Sequence, residues 1–167
     1  VGDDELTGAL SRAAGENVGT YAITQGNLSA GSNYTIDFKG ADFTITPRPI
    51  TVTAQDKSKV YGYADPKLTY TVSENGLVGD DELTGALSRA AGEDVGTYAI
   101  MQGNLSNSNY DITFVGADFT ITRRAITVTA ENKSKVFGDP DPELTYTYSP
   151  YPLPFDDEFS GALARKE

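Results

Sequence analysis

The sequence VGDDELTGALSRAAGEDVGTYAIMQGNLS, residues 78–106, decides how the chain is organised, because nearly the same sequence occurs at residues 1–29. The two copies are identical at 27 of 29 positions. A third, diverged copy begins with FDDEFSGAL at residues 155–163. Residues 1–29 and 78–106 differ only in that Asn17 is replaced by Asp94 and Thr24 by Met101. A tandem array of small modules is therefore expected instead of one 167-residue domain.

The offset between equivalent residues also sets the expected module boundaries. It is 77 residues up to the loop at residues 29–34 and 76 afterwards, because that loop is one residue shorter in the second copy. We expect residues 1–47 to be the C-terminal part of one unit, 48–122 a complete unit, and 123–167 the N-terminal part of a third, diverged unit. The chain is expected to be a piece of a longer protein.

Composition narrows the possible chemistry. The formal net charge is −11, which opposes binding to nucleic acid or to anionic membranes. The chain has no Cys and no His, so it lacks disulfides, thiolate metal ligands and the commonest general base. Hydrophobic residues make up 38%, which suits several small cores better than one large core.

Apolar residues alternate with polar ones in several short segments, which predicts β-strands. Residues 19–25 alternate clearly, with Tyr21 and Ile23 on one face. Residues 34–45 read as a hairpin-like pair or as one strand with a bulge at Gly40. Residues 6–12 fit a short strand, but residues 9–14 could instead form a helical turn, because Ala and Leu favour helices.

These patterns predict an all-β fold, with six or seven short strands in the complete unit 48–122. We expect tandem small β-sandwich modules of the immunoglobulin-like kind, forming an elongated rod. Proline-stiffened linkers such as residues 44–50, TITPRPI, would limit the freedom between modules. The alternative is a β-grasp-like module, in which a short helix at residues 9–14 packs across the sheet.

The most tempting site is an acidic triplet that recurs in every copy. In the complete unit it is Asp80, Asp81 and Glu82, and hard oxygen ligands of this kind are what Ca²⁺ prefers. The triplet lacks the spaced D-x-D-x-D-G pattern of a calcium loop. We therefore favour the interpretation that these acidic residues lie in a solvent-exposed turn. Its counterparts are Asp3-Asp4-Glu5 and Asp156-Asp157-Glu158. No other cofactor is expected.

Tyrosines supply a second candidate site. Most alternate with threonines, as packing in a sheet requires. Tyr63 and Tyr151 lie in turn-like contexts, where an exposed ring could stack on a sugar. These two are the candidate ligand-binding residues.

Two other groups of residues have possible chemical roles. Lys57, Lys59 and Asn132 raise the possibility of a spontaneous Lys–Asn cross-link of the kind found in some adhesins, although no local motif supports it. Asp65 and Asp141 each precede a proline and are expected to begin turns instead of acting as an acid or base.

The segments KVYG (59–62) and ADP-x-LTYT (64–71), with GALSRAAGE-x-VGTYAI (85–100) and NYTI-x-F-x-GADFTIT (33–46), together resemble the bacterial MBG domain of the YGX type. The match spans essentially the whole chain. The resemblance implies tandem modules of large secreted or surface-anchored bacterial proteins of the adhesin and haemagglutinin kind, located outside the cell. It brings no catalytic residues.

Two functions of different classes follow. The first is a non-catalytic stalk that projects a distal binding region, with neighbouring repeats of the same chain as its partners. The second is an array of weak binding modules for host or environmental glycans or proteins, which act by avidity. Strands rich in Thr, Ile and Val also permit self-association by edge pairing. An enzyme, membrane insertion by this segment and nucleic-acid binding are not expected.

Overall fold

The computed structural model describes residues 5–73 and 76–164 of the 167-residue chain. Within them the regular structure is β, apart from one short 3-10 turn, so the all-β prediction is confirmed. The elements in chain order are β1 (Ser11–Arg12), β2 (Gly19–Thr24), β3 (Ala41–Ile45), β4 (Arg48–Ala54), β5 (Lys57–Val60), β6 (Tyr70–Val72), β7 (Ser88–Arg89), β8 (Gly96–Met101), β9 (Tyr110–Val115), β10 (Ala117–Thr122), β11 (Thr127–Ala130), β12 (Tyr146–Ser149) and the turn η1 (Pro154–Asp156).

The chain divides into two compact units. The first comprises the described parts of Val1–Thr53, Tyr70–Ala86 and Gln102–Val115. It holds two three-stranded sheets, with orders β1-β2-β3 and β6-β4-β9. Strands β4 and β9 run parallel, with Ile50 opposite Ile112, whereas β2 is antiparallel to both of its neighbours.

Burial in the first unit follows the alternation of β4. Its sequence RPITVTA places Ile50 and Val52 on one face, where both are buried, and leaves Thr53 exposed. Leu105 and Tyr110 are also buried in this unit. Alternating β-branched residues thus give β4 both its extended backbone and its buried face.

The second unit comprises the described parts of Ala54–Thr69, Leu87–Met101 and Gly116–Glu167. It holds a four-stranded sheet of order β5-β10-β8-β7 and the hairpin β11-β12. Strand β10 is antiparallel to β8 and parallel to β5. Its largest fully buried side chains are Phe119 and Ile121 of β10 and Ile100 of β8.

The helical alternative for residues 9–14 is wrong. Ser11 and Arg12 form strand β1, which pairs with Thr24 and Ile23 of β2, and residues 88–89 do the same in the second copy. Cross-strand hydrogen bonds satisfy the backbone of this segment and outweigh the helix propensity of its alanines. This removes the short helix on which the β-grasp alternative depended.

Both predictions for residues 34–45, the hairpin-like pair and the single strand with a bulge at Gly40, are also wrong. In the second copy the equivalent segment gives two successive strands, but β9 pairs with β4 and β10 pairs with β5 and β8. The two strands therefore belong to different sheets. In the first copy only β3 forms, and residues 34–39 are not a strand. The arrangement of the sheets as sandwiches in a rod stays a prediction.

Candidate functional site

The most organised group of polar side chains lies in the second unit, around the amine of Lys59. Strand β5 presents Lys59 inward, so its side chain is only 4% exposed. The amine lies 2.7 Å from Asp65 Oδ1 and is also paired with Glu93. The lysine considered for a cross-link is thus held by two carboxylates.

Arg89 of β7 joins the same two carboxylates. Its Nε donates to Asp65 Oδ2 at 2.6 Å and its Nη2 donates to Glu93 Oε1 at 2.6 Å. The two cations and two anions alternate in space and neutralise one another. We call Lys59, Asp65, Arg89 and Glu93 the ion-pair cluster.

The backbone beside the cluster completes the arginine's contacts. Arg89 Nη1 donates to the carbonyl oxygens of Ala90 and Gly92 at 3.0 and 2.7 Å. Gly92 has a φ of +142°, and an added Cβ would lie 2.2 Å from the ring of Tyr98. Only glycine lets the chain turn there under that ring. The guanidinium also lies 4.8 Å from the ring centre of Phe119, a cation–π distance.

The pKa directions describe a cluster that stays charged. Hydrogen bonds from Arg89, and then from Lys59, hold the pKa of Asp65 below its usual range. Hydrogen bonds from Lys59, and then from Arg89, lower the pKa of Glu93. The pKa of Lys59 is raised, first by its bond to Asp65 and then by its bond to Glu93. Each group favours the ionised form of its partners.

Such a cluster is poorly suited to catalysis. A general acid or base needs a pKa near the working pH, and a lysine nucleophile must lose its proton. Here the carboxylates are held ionised and Lys59 is held protonated. The chemistry available to the cluster is therefore electrostatic cross-linking of β5 and the following turn to β7 and its following turn.

The cluster was not predicted, although the sequence carries a signal for it. Lys59 and Asp65 recur with the same six-residue spacing in the third copy as Lys135 and Asp141, whose side chains lie 2.6 Å apart. Arg89 and Glu93 recur in the first copy as Arg12 and Glu16, which are also paired. Opposite charges conserved in spacing between copies could have been read as ion pairs.

The acidic triplet contributes one carboxylate to a different contact. Asp81 Oδ2 accepts a hydrogen bond of 2.6 Å from the hydroxyl of Tyr110. The backbone carbonyl of Glu82 accepts from Asn107 at 2.9 Å. Across residues 5–73 and 76–164, no three acidic side chains converge as metal ligands. Calcium binding by Asp80, Asp81 and Glu82 stays a prediction, and Asp3 and Asp4 of the first triplet lie outside the described residues.

The two candidate tyrosines are exposed but differently placed. Tyr63 has the guanidinium of Arg124 5.2 Å from its ring centre. Tyr151 is 77% exposed, and its ring centre lies 5.4 Å from that of Tyr148. They are not repeat equivalents of each other, because Tyr63 corresponds to Asp139 of the third copy. Sugar binding by either tyrosine stays a prediction.

The comparisons with known proteins give a clear family. The family model of the MBG domain (YGX type) matches residues 1–44, 50–120 and 126–167. The chain therefore belongs to the MBG domain family. Members of this family are repeat modules of surface proteins, and the family is not a known enzyme family. Neither the curated proteins nor the solved structures gave a match. In the described parts of the chain, no helix has the length and apolar character to cross a membrane.

Proposed function

We propose that this chain is a non-catalytic structural repeat, a stalk or spacer, of a large bacterial cell-surface adhesin, and that it projects a distal binding region away from the cell. The observation that carries the proposal is the ion-pair cluster. Its four charges are satisfied by one another and tie two segments of the complete repeat together. Because these side chains pair with one another inside the module, the cluster suits a structural role better than the binding of a charged ligand.

Near-identity of the copies supports the same function. Residues 1–29 and 78–106 differ at two positions only. Duplication lengthens a spacer without requiring any new chemistry, whereas copies of a recognition module gain from divergence when they bind different targets. The partners of each repeat would then be its neighbours in the chain.

The links between repeats are short enough for a spacer. Two residues, 46–47, separate β3 from β4, and four residues, 123–126, separate β10 from β11. The first link contains Pro47, whose ring fixes its backbone φ. Short links of this kind restrict the hinge between successive repeats.

A second candidate function is that each unit is itself a weak glycan- or protein-binding adhesive module. The exposure of Tyr63 and Tyr151 favours it, since a ring open to solvent can stack on a sugar. Against it, the two rings occupy different positions of the repeat, so they do not provide one site per copy. Net charge −11 argues against nucleic acid and anionic lipid as partners.

Binding measurements separate these candidates. The 167-residue chain is titrated against a panel of glycans and matrix proteins, with Ca²⁺ and with a chelator. We expect no saturable binding in either condition. Saturable binding that is lost in Tyr63→Ser or Tyr151→Ser would establish the adhesive array, and binding lost only in chelator would show that it requires a divalent cation.

Small-angle X-ray scattering tests the spacer directly. Chains with two, four and six tandem copies of residues 48–122 are compared, and the maximum dimension is expected to grow in proportion to copy number. A flexible string would grow only as about the square root of copy number, and that result would overturn the proposal. Protease treatment of intact source cells tests the extracellular location, because an exposed stalk is cleaved while the cells stay intact.

A further inference from the structure

Tyr61, which directly follows β5, makes contacts outside its own repeat. Its hydroxyl donates to Asp157 Oδ2 at 2.8 Å, and its ring lies edge-on to Phe155 with centres 5.4 Å apart. Both partners belong to the third copy, in and beside η1, and all of these residues lie in the second unit. The tyrosine of the YGX segment, Tyr61-Gly62-Tyr63, thus touches the repeat that follows.

Gly62 brings the two repeats together at van der Waals distance. Its φ is +81°, and an added Cβ would lie 2.3 Å from Cγ and 2.7 Å from Cβ of Pro154. A glycine is required here for two separate reasons, the left-handed backbone and the proline ring that lies against it. The link residue Arg124 is held at the same place, since its guanidinium lies over Tyr63.

The contacting turn of the third copy has an unusual backbone. Phe155 has a φ of +55°, and the equivalent residue of the complete repeat is Gly79, with a φ of +57°. The turn therefore keeps its left-handed conformation although phenylalanine has replaced glycine. A strained residue persists where its surroundings hold it, and here its ring packs against Tyr61.

The junction between the first copy and the complete repeat, which lies in the first unit, shows further contacts. Asn109 Oδ1 accepts from the backbone amide of Val18 at 3.0 Å, and Asn109 Nδ2 donates to Asn17 Oδ1 at 2.9 Å. These bonds also join one copy to the next.

Equivalent residues line a groove at each junction. At the first junction they are Val18, Arg48, Val78 and Asp81, and at the second they are Val95, Arg124, Pro154 and Asp157. The two junctions therefore represent the same arrangement, and each contains only part of its contacts. The 167 residues include no YGX segment before the first copy, so the first junction lacks that contact, and they include no Asn109 equivalent in the third copy, so the second junction lacks the asparagine contacts.

We propose that the YGX segment is the docking site for the acidic turn of the following repeat, which in the third copy is residues 154–157. The second aspartate of the acidic triplet, Asp157 in that copy, is the hydrogen-bond acceptor. In a longer array, an aspartate that follows a repeat with the YGX tyrosine accepts from two tyrosines. One is the YGX tyrosine of the preceding repeat, as for Asp157, and the other is the equivalent of Tyr110 in its own repeat, as for Asp81. An ionised carboxylate has acceptor capacity for both. The inference goes beyond the spacer function and holds whether or not the array is a stalk.

The test measures how firmly the third copy is held against the complete repeat in the whole chain. The absence of cysteine allows spin labels to be placed at Thr97→Cys in β8 and Thr129→Cys in β11, both exposed. The parent chain is expected to give one narrow distance distribution in double electron–electron resonance. Gly62→Ala should broaden it towards the spread of roughly 10 Å expected of a free four-residue link.

Gly138→Ala is the matched control. Gly138 is the equivalent glycine of the third copy, with a φ of +95° and nothing within 4 Å of an added Cβ, so its substitution brings the same backbone strain without the clash. It should leave the distribution narrow. Equal distributions for Gly62→Ala and Gly138→Ala would overturn the proposal, provided that circular dichroism shows both chains folded.

Two further variants keep the test decisive if Gly62→Ala fails to fold. Pro154→Gly removes the Cβ and Cγ atoms with which the new alanine Cβ would clash. The double variant Gly62→Ala/Pro154→Gly should therefore fold. Tyr61→Phe removes only the hydroxyl that bonds Asp157, and it should widen the distribution less than Gly62→Ala but more than Gly138→Ala. A Tyr61→Phe distribution as narrow as that of the parent chain would remove the aspartate from the docking site.

Discussion

The first copy and the complete repeat contain nearly the same sequence in two different settings. Strands β1, β2 and β3 of the first copy correspond to β7, β8 and β10, and they pair in the same order. The turns agree as well, with φ of +142° at both Gly15 and Gly92. Local structure is therefore reproduced.

Burial is not reproduced. Phe43 is 43% exposed in the first copy, whereas its equivalent Phe119 is fully buried. Tyr34 is 54% exposed and its equivalent Tyr110 is 7% exposed. Residues 34–39 are not a strand, although the equivalent Tyr110–Val115 forms β9.

The difference goes with the partner strands that each copy has available. In the complete repeat, β9 pairs in parallel with β4, and β10 pairs in parallel with β5. Both partner strands come from residues 48–60, and the 167-residue chain has no equivalent of them before the first copy. A parallel strand without its partner leaves its backbone groups to water, so it gains nothing from the extended conformation.

The ion-pair cluster also differs between the complete repeat and the partial copies. The side chain of Arg89 is 11% exposed and reaches Asp65 and Glu93, whereas that of Arg12 is 28% exposed and is paired with Glu16. Lys135 and Asp141 of the third copy, the equivalents of Lys59 and Asp65, are paired with each other. The N-terminal half of a repeat supplies the lysine and the aspartate, and the C-terminal half supplies the arginine and the glutamate. The four-residue cluster therefore forms in the complete repeat, where both halves are present.

The largest effect should come from supplying the missing half. Fusing a copy of residues 48–77 ahead of residue 1 offers the first copy its own β4 and β5. Residues 34–39 should then become a strand, with amide hydrogen exchange slowed by roughly 100-fold. A fusion whose added segment carries Val52→Pro is the control, because proline cannot donate in the ladder. Unchanged exchange in the first fusion would mean that something other than strand pairing keeps these residues open.

The next largest effect is expected from a pair of phenylalanine truncations. Phe119→Ala should lower the free energy of unfolding by about 3–5 kcal/mol, the usual cost of removing a buried aromatic side chain. Phe43→Ala, at the equivalent position, should cost only about 1 kcal/mol because much of the ring is already in water. Urea unfolding followed by far-ultraviolet circular dichroism measures both. Equal costs would show that the two copies are equally packed in solution.

A smaller effect distinguishes the two lysines. Lys59→Met removes a buried cation that serves two carboxylates, and it should cost about 1–2 kcal/mol, since the exposed sides of Asp65 and Glu93 are screened by water. Lys135→Met, where the side chain is 38% exposed, should cost less than about 0.5 kcal/mol. The same urea titration compares them, and a Lys135 variant as unstable as the Lys59 variant would contradict the difference between whole and half clusters.

The smallest effect is the pH dependence of the cluster. Asp65 and Glu93 have lowered pKa values, so their contribution to stability is present above their ordinary values of 3.8 and 4.5 and is lost as the pH falls through the lowered values. Lys59 has a raised pKa, so its contribution is present below 10.5 and is lost as the pH rises through the raised value. The thermal midpoint should be level between about pH 5 and 9 and fall on both sides. In Lys59→Met the alkaline fall should be smaller, and an unchanged fall would assign it to other groups.

Prediction from sequence succeeded where the signal was local. Residues 19–25 were predicted as a strand from alternation alone, and β2 occupies Gly19–Thr24. It failed for residues 34–45, where alternation correctly indicated extended segments in the second copy but could not show that they belong to different sheets. Adjacent strands are often paired, but β9 and β10 are not.

The candidate site was predicted less well than the fold. The acidic triplet was noticed for its charge, but its second aspartate accepts from a tyrosine 29 residues away, which no spacing along the chain reveals. Asp65 was expected to begin a turn, and its ion pair with Arg89 across 24 residues was not foreseen. Side-chain contacts between distant segments depend on the sheet order, and the sheet order was unknown.

The sequence by itself determined the repeat, the all-β class and strongly alternating strands such as β2. All of these depend on interactions within a few residues, through side-chain alternation and backbone freedom. Only the tertiary structure decided the parallel pairs, the buried residues of each copy, the ion-pair cluster and the contact of the YGX segment with the next repeat. Arg48 pairs with Tyr110 across 62 residues, and a pairing over such a distance depends on which strands are available to close the sheet.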